Sequence, residues 1–93
     1  MGYSIVASTR FKKSLKKHLK NPAEKKYIFE VIELLKMAYF DAIPQNMKPH
    51  KLIGNYKGCL ECHIMPDLLI IWEQDETENE IYLLDLGSHS DLF

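Results

Sequence analysis

The sequence predicts an α+β fold, with an N-terminal strand and a helical hairpin packed on an antiparallel β-sheet. Three observations carry this reading. Apolar residues recur at helical spacing up to about Ala38. From Gly58 onward they recur at a period near two or in unbroken β-branched runs. The stretch between holds Pro44 and Pro49 and sustains neither period. With 93 residues, 46% of them hydrophobic and 27% charged, the chain can bury one modest core and has no material for a second. One domain over residues 1–93 is therefore expected.

In chain order, Tyr3 to Ala7 is a short apolar strand, after which Ser8 or Thr9 can cap a helix. Phe11, Leu15 and Leu19 follow at four-residue spacing and form a narrow buried stripe, with lysines on the rest of the surface. Asn21-Pro22-Ala23-Glu24 ends this helix and starts the next. Asn21 is a good N-cap, Pro22 suits the first helical position, and Glu24 stands where a capping box would place it. Ile28, Val31, Ile32 and Leu35 keep the helical period, and Phe40 to Lys51 is read as a connecting loop. From Gly58, alternation places Leu60, Cys62 and Ile64 on one strand face and Cys59, Glu61, His63 and Met65 on the other. Pro66-Asp67 is a turn, and Leu68 to Trp72 is a central strand covered on both faces, with Trp72 in the core. Asp75 to Asn79 is a polar hairpin tip, Ile81 to Leu86 is the last strand, and Gly87 releases the chain.

The composition excludes several classes. No stretch approaches the roughly 18 apolar residues of a membrane span. Met1 to Ala7 lacks a basic region followed by an apolar run, so a cytoplasmic protein without membrane contact is expected. A bridge between Cys59 and Cys62 would close only a tiny loop, which favours reduced thiols. The net charge is −1 but it is segregated: residues 1–26 carry eight basic side chains against Glu24 alone, and residues 27–93 carry four lysines against twelve acids. Such a basic end, with Lys12, Lys13, Lys16 and Lys17 on one helix, can follow a phosphate backbone, dock an acidic protein, or be a solvated helix face.

The chemistry-bearing side chains gather toward the C-terminus. His50 arrives from the loop, His63 lies near the end of one strand, Asp67 just past the turn, and His89 just after the last strand. Adjacent antiparallel strand ends can bring them together. Metal-free RNA cleavage needs an acceptor for the ribose 2′-OH proton, a donor for the departing 5′ oxygen, and positive charge or hydrogen bonds around the phosphate. Imidazoles serve the first two needs, and a carboxylate such as Asp67 can orient a ring or act as base. Phe93 can stack on a base or simply pack a chain end. Cys59-Leu60-Glu61-Cys62-His63 matches the five-residue pattern for haem attachment, and its thiols with His63 and His50 are formal zinc ligands. A strand, however, sends the two cysteines to opposite faces, so no metal and no cofactor is expected.

Three linked runs then carry a resemblance: Pro49-His50-Lys51-Leu52-Ile53-Gly54-Asn55-Tyr56-Lys57-Gly58; Glu61-Cys62-His63-Ile64 with Pro66-Asp67-Leu68-Leu69-Ile70; and Leu86-Gly87-Ser88-His89-Ser90-Asp91-Leu92-Phe93. Their order and spacing resemble the YafQ branch of the RelE-like bacterial toxins. The resemblance is dense over residues 49–93, and earlier it extends only to layout and lysine content. It implies a RelE-like fold and a ribosome-dependent endoribonuclease that cuts translated mRNA and is held inactive by a cognate antitoxin. DNA binding by this chain alone is not expected. The matching site residues are His50, His63, Asp67, His89 and Phe93. His89 is then the general acid, Asp67 or His63 the general base, and His50 a phosphate ligand or proton-transfer aid. Relatives usually carry arginine where this chain has Leu60 and Asp85. Positive charge toward the phosphate would come from Lys48, Lys51, Lys57 or a protonated histidine. An attenuated or non-catalytic module that binds RNA or antitoxin is the alternative.

Overall fold

A computed structural model describes residues 3–93, the Tyr39 side chain excepted, so Met1 and Gly2 of the N-terminal segment lie outside it. The elements are β1 (Ser4–Ala7), α1 (Thr9–His18), α2 (Pro22–Ala38), β2 (His50–Lys51), β3 (Leu60–Met65), β4 (Leu68–Asp75), β5 (Glu80–Gly87) and α3 (His89–Leu92). One five-stranded sheet has the order β1-β5-β4-β3-β2. Strands β3 to β5 pair antiparallel, as expected, β2 joins them antiparallel at one edge, and β1 adds a parallel edge by lying along β5 from Ser4 opposite Glu80 to Ala7 opposite Leu83.

Ser8 rather than Thr9 caps α1. Its hydroxyl oxygen accepts from the Phe11 N–H at 3.0 Å, and the hydroxyl donates to the Leu84 carbonyl at 2.8 Å. One side chain thus starts the helix and ties it to β5. Asn21 caps α2 by accepting from Ala23 and Glu24, but the expected capping box is not formed. The Asn21 N–H goes to the His18 carbonyl, and the Glu24 carboxylate turns to the His18 ring at 3.3 Å.

The main core lies between the helices and one sheet face, where Leu60, Cys62, Ile64, Ile70 and Trp72 meet Phe11 of α1 and Ile28, Val31 and Leu35 of α2. Trp72 is fully buried, as expected, with its indole N–H donating to Gln74 Oε1 at 3.1 Å. The other face carries a smaller cluster of Cys59, Leu69, Ile71 and Leu92, with Leu52, Tyr56 and Leu84 against it. β4 is therefore covered on both sides, and it runs three polar residues past the expected end because Glu73, Gln74 and Asp75 pair with β5.

Three further expectations are corrected. Met65 packs on the main core rather than on the His63 face, because the β3–β4 register shifts between His63 and Met65. The segment read as one loop contains 3-10 turns at Tyr39–Ala42 and Gln45–Met47 and ends in β2, where His50 pairs with Glu61 and Lys51 with Leu60. A two-residue strand has no period to detect. After Gly87 the chain is not released but turns into α3, started by a complete Ser88/Asp91 capping box.

Candidate functional site

The sheet register builds one edge of the site. His50, Glu61, Ile71 and Asp85 are successive partners across β2, β3, β4 and β5, so they share the smaller-cluster face. Two residues along β3 stands His63, paired with Leu69, which in turn faces Gly87. The β3–β4 turn carries Asp67 and the start of α3 carries His89, so both arrive beside His63.

The contacts are specific. Asp67 Oδ1 accepts two hydrogen bonds from His89, from its backbone N–H at 3.0 Å and from its ring Nδ1 at 2.9 Å. A carboxylate only accepts, so Nδ1 carries the hydrogen and Nε2 is left for chemistry. These two bonds hold the Asp67 carboxyl below the usual carboxylate range, the backbone N–H having the larger effect. The His63 ring meets His89 edge-on with centroids 5.4 Å apart, and His50 lies 6.5 Å from His63. Desolvation pulls the His63 pKa below its ordinary value. The Glu61 charge opposes this, and His89, Lys48 and His50 add to it. His63 is therefore a neutral ring with a lone pair at neutral pH.

The Nδ1 of His50 stands 2.8 Å from the Lys48 carbonyl and must donate, while its Nε2 faces Glu61 Oε1 at 3.2 Å. The ring is thus held between a carbonyl and a buried carboxylate. Glu61 is only 3% exposed and its Oε2 has no hydrogen-bond partner among the described residues. Phe93 stands one helical turn beyond His89, with its N–H on the His89 carbonyl at 2.9 Å. Its ring packs edge-to-face on Tyr56 at 5.6 Å and stays 63% exposed, on an open hollow of about 530 Å³ with Ile53 and Asn55. On the other side, a groove of about 730 Å³ between α2 and the end of β3 carries Lys48, His63 and His89 on one wall and Val31, Leu34 and Met47 on another.

The sequence profile of the bacterial toxin of type II toxin–antitoxin systems, YafQ, matches residues 3–93. The chain belongs to the YafQ family of type II toxins. Solved structures agree. YafQ of E. coli strain BL21(DE3) superposes with a TM-score of 0.86 at 23% identity over 98% of both chains. A metal-bound toxin of Helicobacter pylori is 35% identical, with a TM-score of 0.82 over 98% of this chain and 99% of that one. YafQ in the E. coli DinJ–YafQ toxin–antitoxin complex gives 0.82 at 23% identity over 100% and 99%. A YafQ-named protein of Haemophilus influenzae is 39% identical over 51 residues, 52% of this chain and 49% of that relative; the match spans about half the length of that curated relative.

Within this YafQ-family chain, His50, His63, Asp67 and His89 form one connected set, and Phe93 flanks it through Tyr56. The seven candidate lysines disperse. Lys48, in a left-handed conformation with φ 52°, lines the groove beside His63. Lys51 points to the opposite sheet side with Leu60 and Gln74, as strand alternation from His50 demands. Lys57 ends the Gly54–Tyr56 turn. Lys12, Lys13 and Lys16 are exposed on α1, where Lys17 faces α3. Cys59 and Cys62 do fall on opposite faces, one in each apolar cluster. Burial, then the Glu61 charge, pushes the Cys62 thiol up to about 12. Two residues escaped the sequence reading. Glu61 was noted only within a motif, although an acid on the His63 face of an otherwise apolar strand was the available signal. Arg10, whose Nε lies 3.0 Å from Asp85 Oδ2, gave no signal, because a contact across 75 positions leaves no local pattern.

No helix among the described residues is long and apolar enough to cross a membrane.

Proposed function

We propose that the chain is a ribosome-dependent endoribonuclease that cuts translated mRNA in the cytoplasm and is neutralised by a cognate antitoxin. The observation that carries this reading is the Asp67–His89 bond, which fixes one imidazole with a free Nε2 beside a second, neutral imidazole. In this assignment His63 takes the proton of the ribose 2′-OH, whose oxygen attacks the adjacent phosphorus. His89, with a second proton on Nε2, gives that proton to the departing 5′ oxygen. The products are a 2′,3′-cyclic phosphate and a 5′-OH end. Asp67 is the orienting group rather than the base, since its Oδ1 is engaged twice by His89. Lys48, which lines the groove with His63, supplies positive charge to the phosphate, and His50, held by Glu61, lies beside them. Phe93, seated on Tyr56, stacks a base, an interaction worth about 1–3 kcal/mol. The antitoxin follows by analogy with the E. coli complex, and the lysine-rich α1 and the site face are the surfaces offered to it. Leu60 is buried in the main core and brings no charge, which favours a slower enzyme as the second reading.

Cleavage on purified ribosomes programmed with mRNA tests this through pH. A base with a depressed pKa stays unprotonated further into acid, so the rate should hold down to about pH 6.5 and fall only below it. The same shift affects folding. The unfolded chain takes this proton first as pH drops, so stability should decline below about 6.5. An acid limb centred above that value would exclude His63 as base, and no cleavage at any pH would remove the nuclease reading.

A further inference from the structure

We propose that Arg10, held by Asp85, forms with Lys17 a phosphate-binding subsite beside α3 that takes a backbone phosphate of the RNA next to the cut. This rests on the nuclease reading above. Asp85 is 4% exposed, yet both its oxygens are engaged, Oδ1 by the Leu86 N–H at 2.8 Å and Oδ2 by Arg10 Nε at 3.0 Å. The Arg10 side chain, by contrast, is 70% exposed. Keeping the guanidinium in water avoids the cost of burying a second charge. Here one nitrogen is anchored and the remaining fork of donors is presented to solvent, oriented before any ligand arrives.

The surroundings fit an anion. Arg10, Ser14, Lys17 and His18 line a small pocket of about 210 Å³ together with Asp85 and Asp91. Asp85 is bonded to the Leu86 N–H and to Arg10, and Asp91 Oδ2 accepts the Ser88 N–H; of the cations, Arg10 is tied through Nε alone, His18 faces Glu24, and Lys17 acts on Asp91 through its charge. The pocket also lies along the site. Asp85 shares its cross-sheet row with Glu61 and His50, and Asp91 stands two residues beyond His89 on α3. A strand cut at the His63–His89 pair and continuing over α3 would meet it.

The test is equilibrium binding of a fluorescent, uncleavable 2′-O-methyl RNA oligonucleotide, measured over about 50 to 200 mM salt, for the wild type, Arg10→Gln, Arg10→Lys and Lys17→Ala. Gln keeps a donor for Asp85 and removes the charge. Arg10→Gln should weaken binding about three- to tenfold at low salt and reduce the slope of log Kd against log salt by about 0.7, the value of one single-strand phosphate contact. Lys17→Ala should do the same, and Arg10→Lys should keep most of the slope. A lower melting temperature with an unchanged slope would make Arg10 a purely structural partner and overturn the subsite, as would no binding by the wild type. Cleavage on programmed ribosomes separates the two claims. A wild type that never cuts but whose slope falls in Arg10→Gln removes the nuclease and keeps the subsite. Intact cleavage with an unchanged slope removes only the subsite.

Discussion

Single-turnover cleavage by His89→Ala on programmed ribosomes should fall by about 10²- to 10⁴-fold, the usual contribution of a positioned proton donor. The loss should sit in the rate at saturation rather than in half-saturation, because the ring acts on the leaving oxygen in the transition state and adds little to ground-state binding. His89 is exposed and contributes no core packing, so the variant should melt close to the wild type. Full activity in His89→Ala would remove its role. The Asp67–His89 contact adds a companion result. Asp67→Asn retains an oxygen acceptor for the His89 backbone and ring, so its loss should be smaller than that of His89→Ala.

The largest effect on stability should come from Trp72→Ala, expected to cost about 3–5 kcal/mol. Trp72 is fully buried on the helix-facing side of β4, with the Phe40 ring at 6.4 Å and its N–H satisfied by Gln74. Truncation leaves a cavity that the paired strands on either side cannot close. For a domain this small, whose total stability is about 5–15 kcal/mol, that loss should shift the urea midpoint far enough to leave a substantial unfolded population in water. A change below about 1 kcal/mol would mean that the core repacks freely and that β4 is not its centre.

The helices and the long strands were legible because their patterns are local. Four-residue spacing marked α1 and α2, and the Leu68–Trp72 run marked a strand covered on both faces. What escaped was either short or distant. β2 is two residues long and α3 four, below the length at which a period exists, although Ser88 and Asp91 spelled the capping box that starts α3. The parallel seat of β1 on β5 depends on a contact between chain ends that no window of sequence contains. Among site residues, His63, Asp67 and His89 were legible because strand ends and a tight turn place them predictably. The roles were less so. The double contact of Asp67 Oδ1 with His89, and the seat of His50 between the Lys48 carbonyl and Glu61, join segments too far apart in sequence to leave a local pattern. Lys51 shows the opposite case. It was one of the lysines that could bring positive charge to the phosphate, and strand alternation sends it to the side of the sheet opposite His50.

Cutting of mRNA by the His63–His89 pair during translation is read out by mapping mRNA ends in a translating extract, wild type beside His89→Ala. New ends are expected only inside translated codons, carrying 5′-OH on one fragment and cyclic or simple 3′ phosphate on the other, and absent in His89→Ala. Untouched mRNA in the wild-type extract, or cuts spread equally over untranslated sequence and retained in His89→Ala, would contradict it.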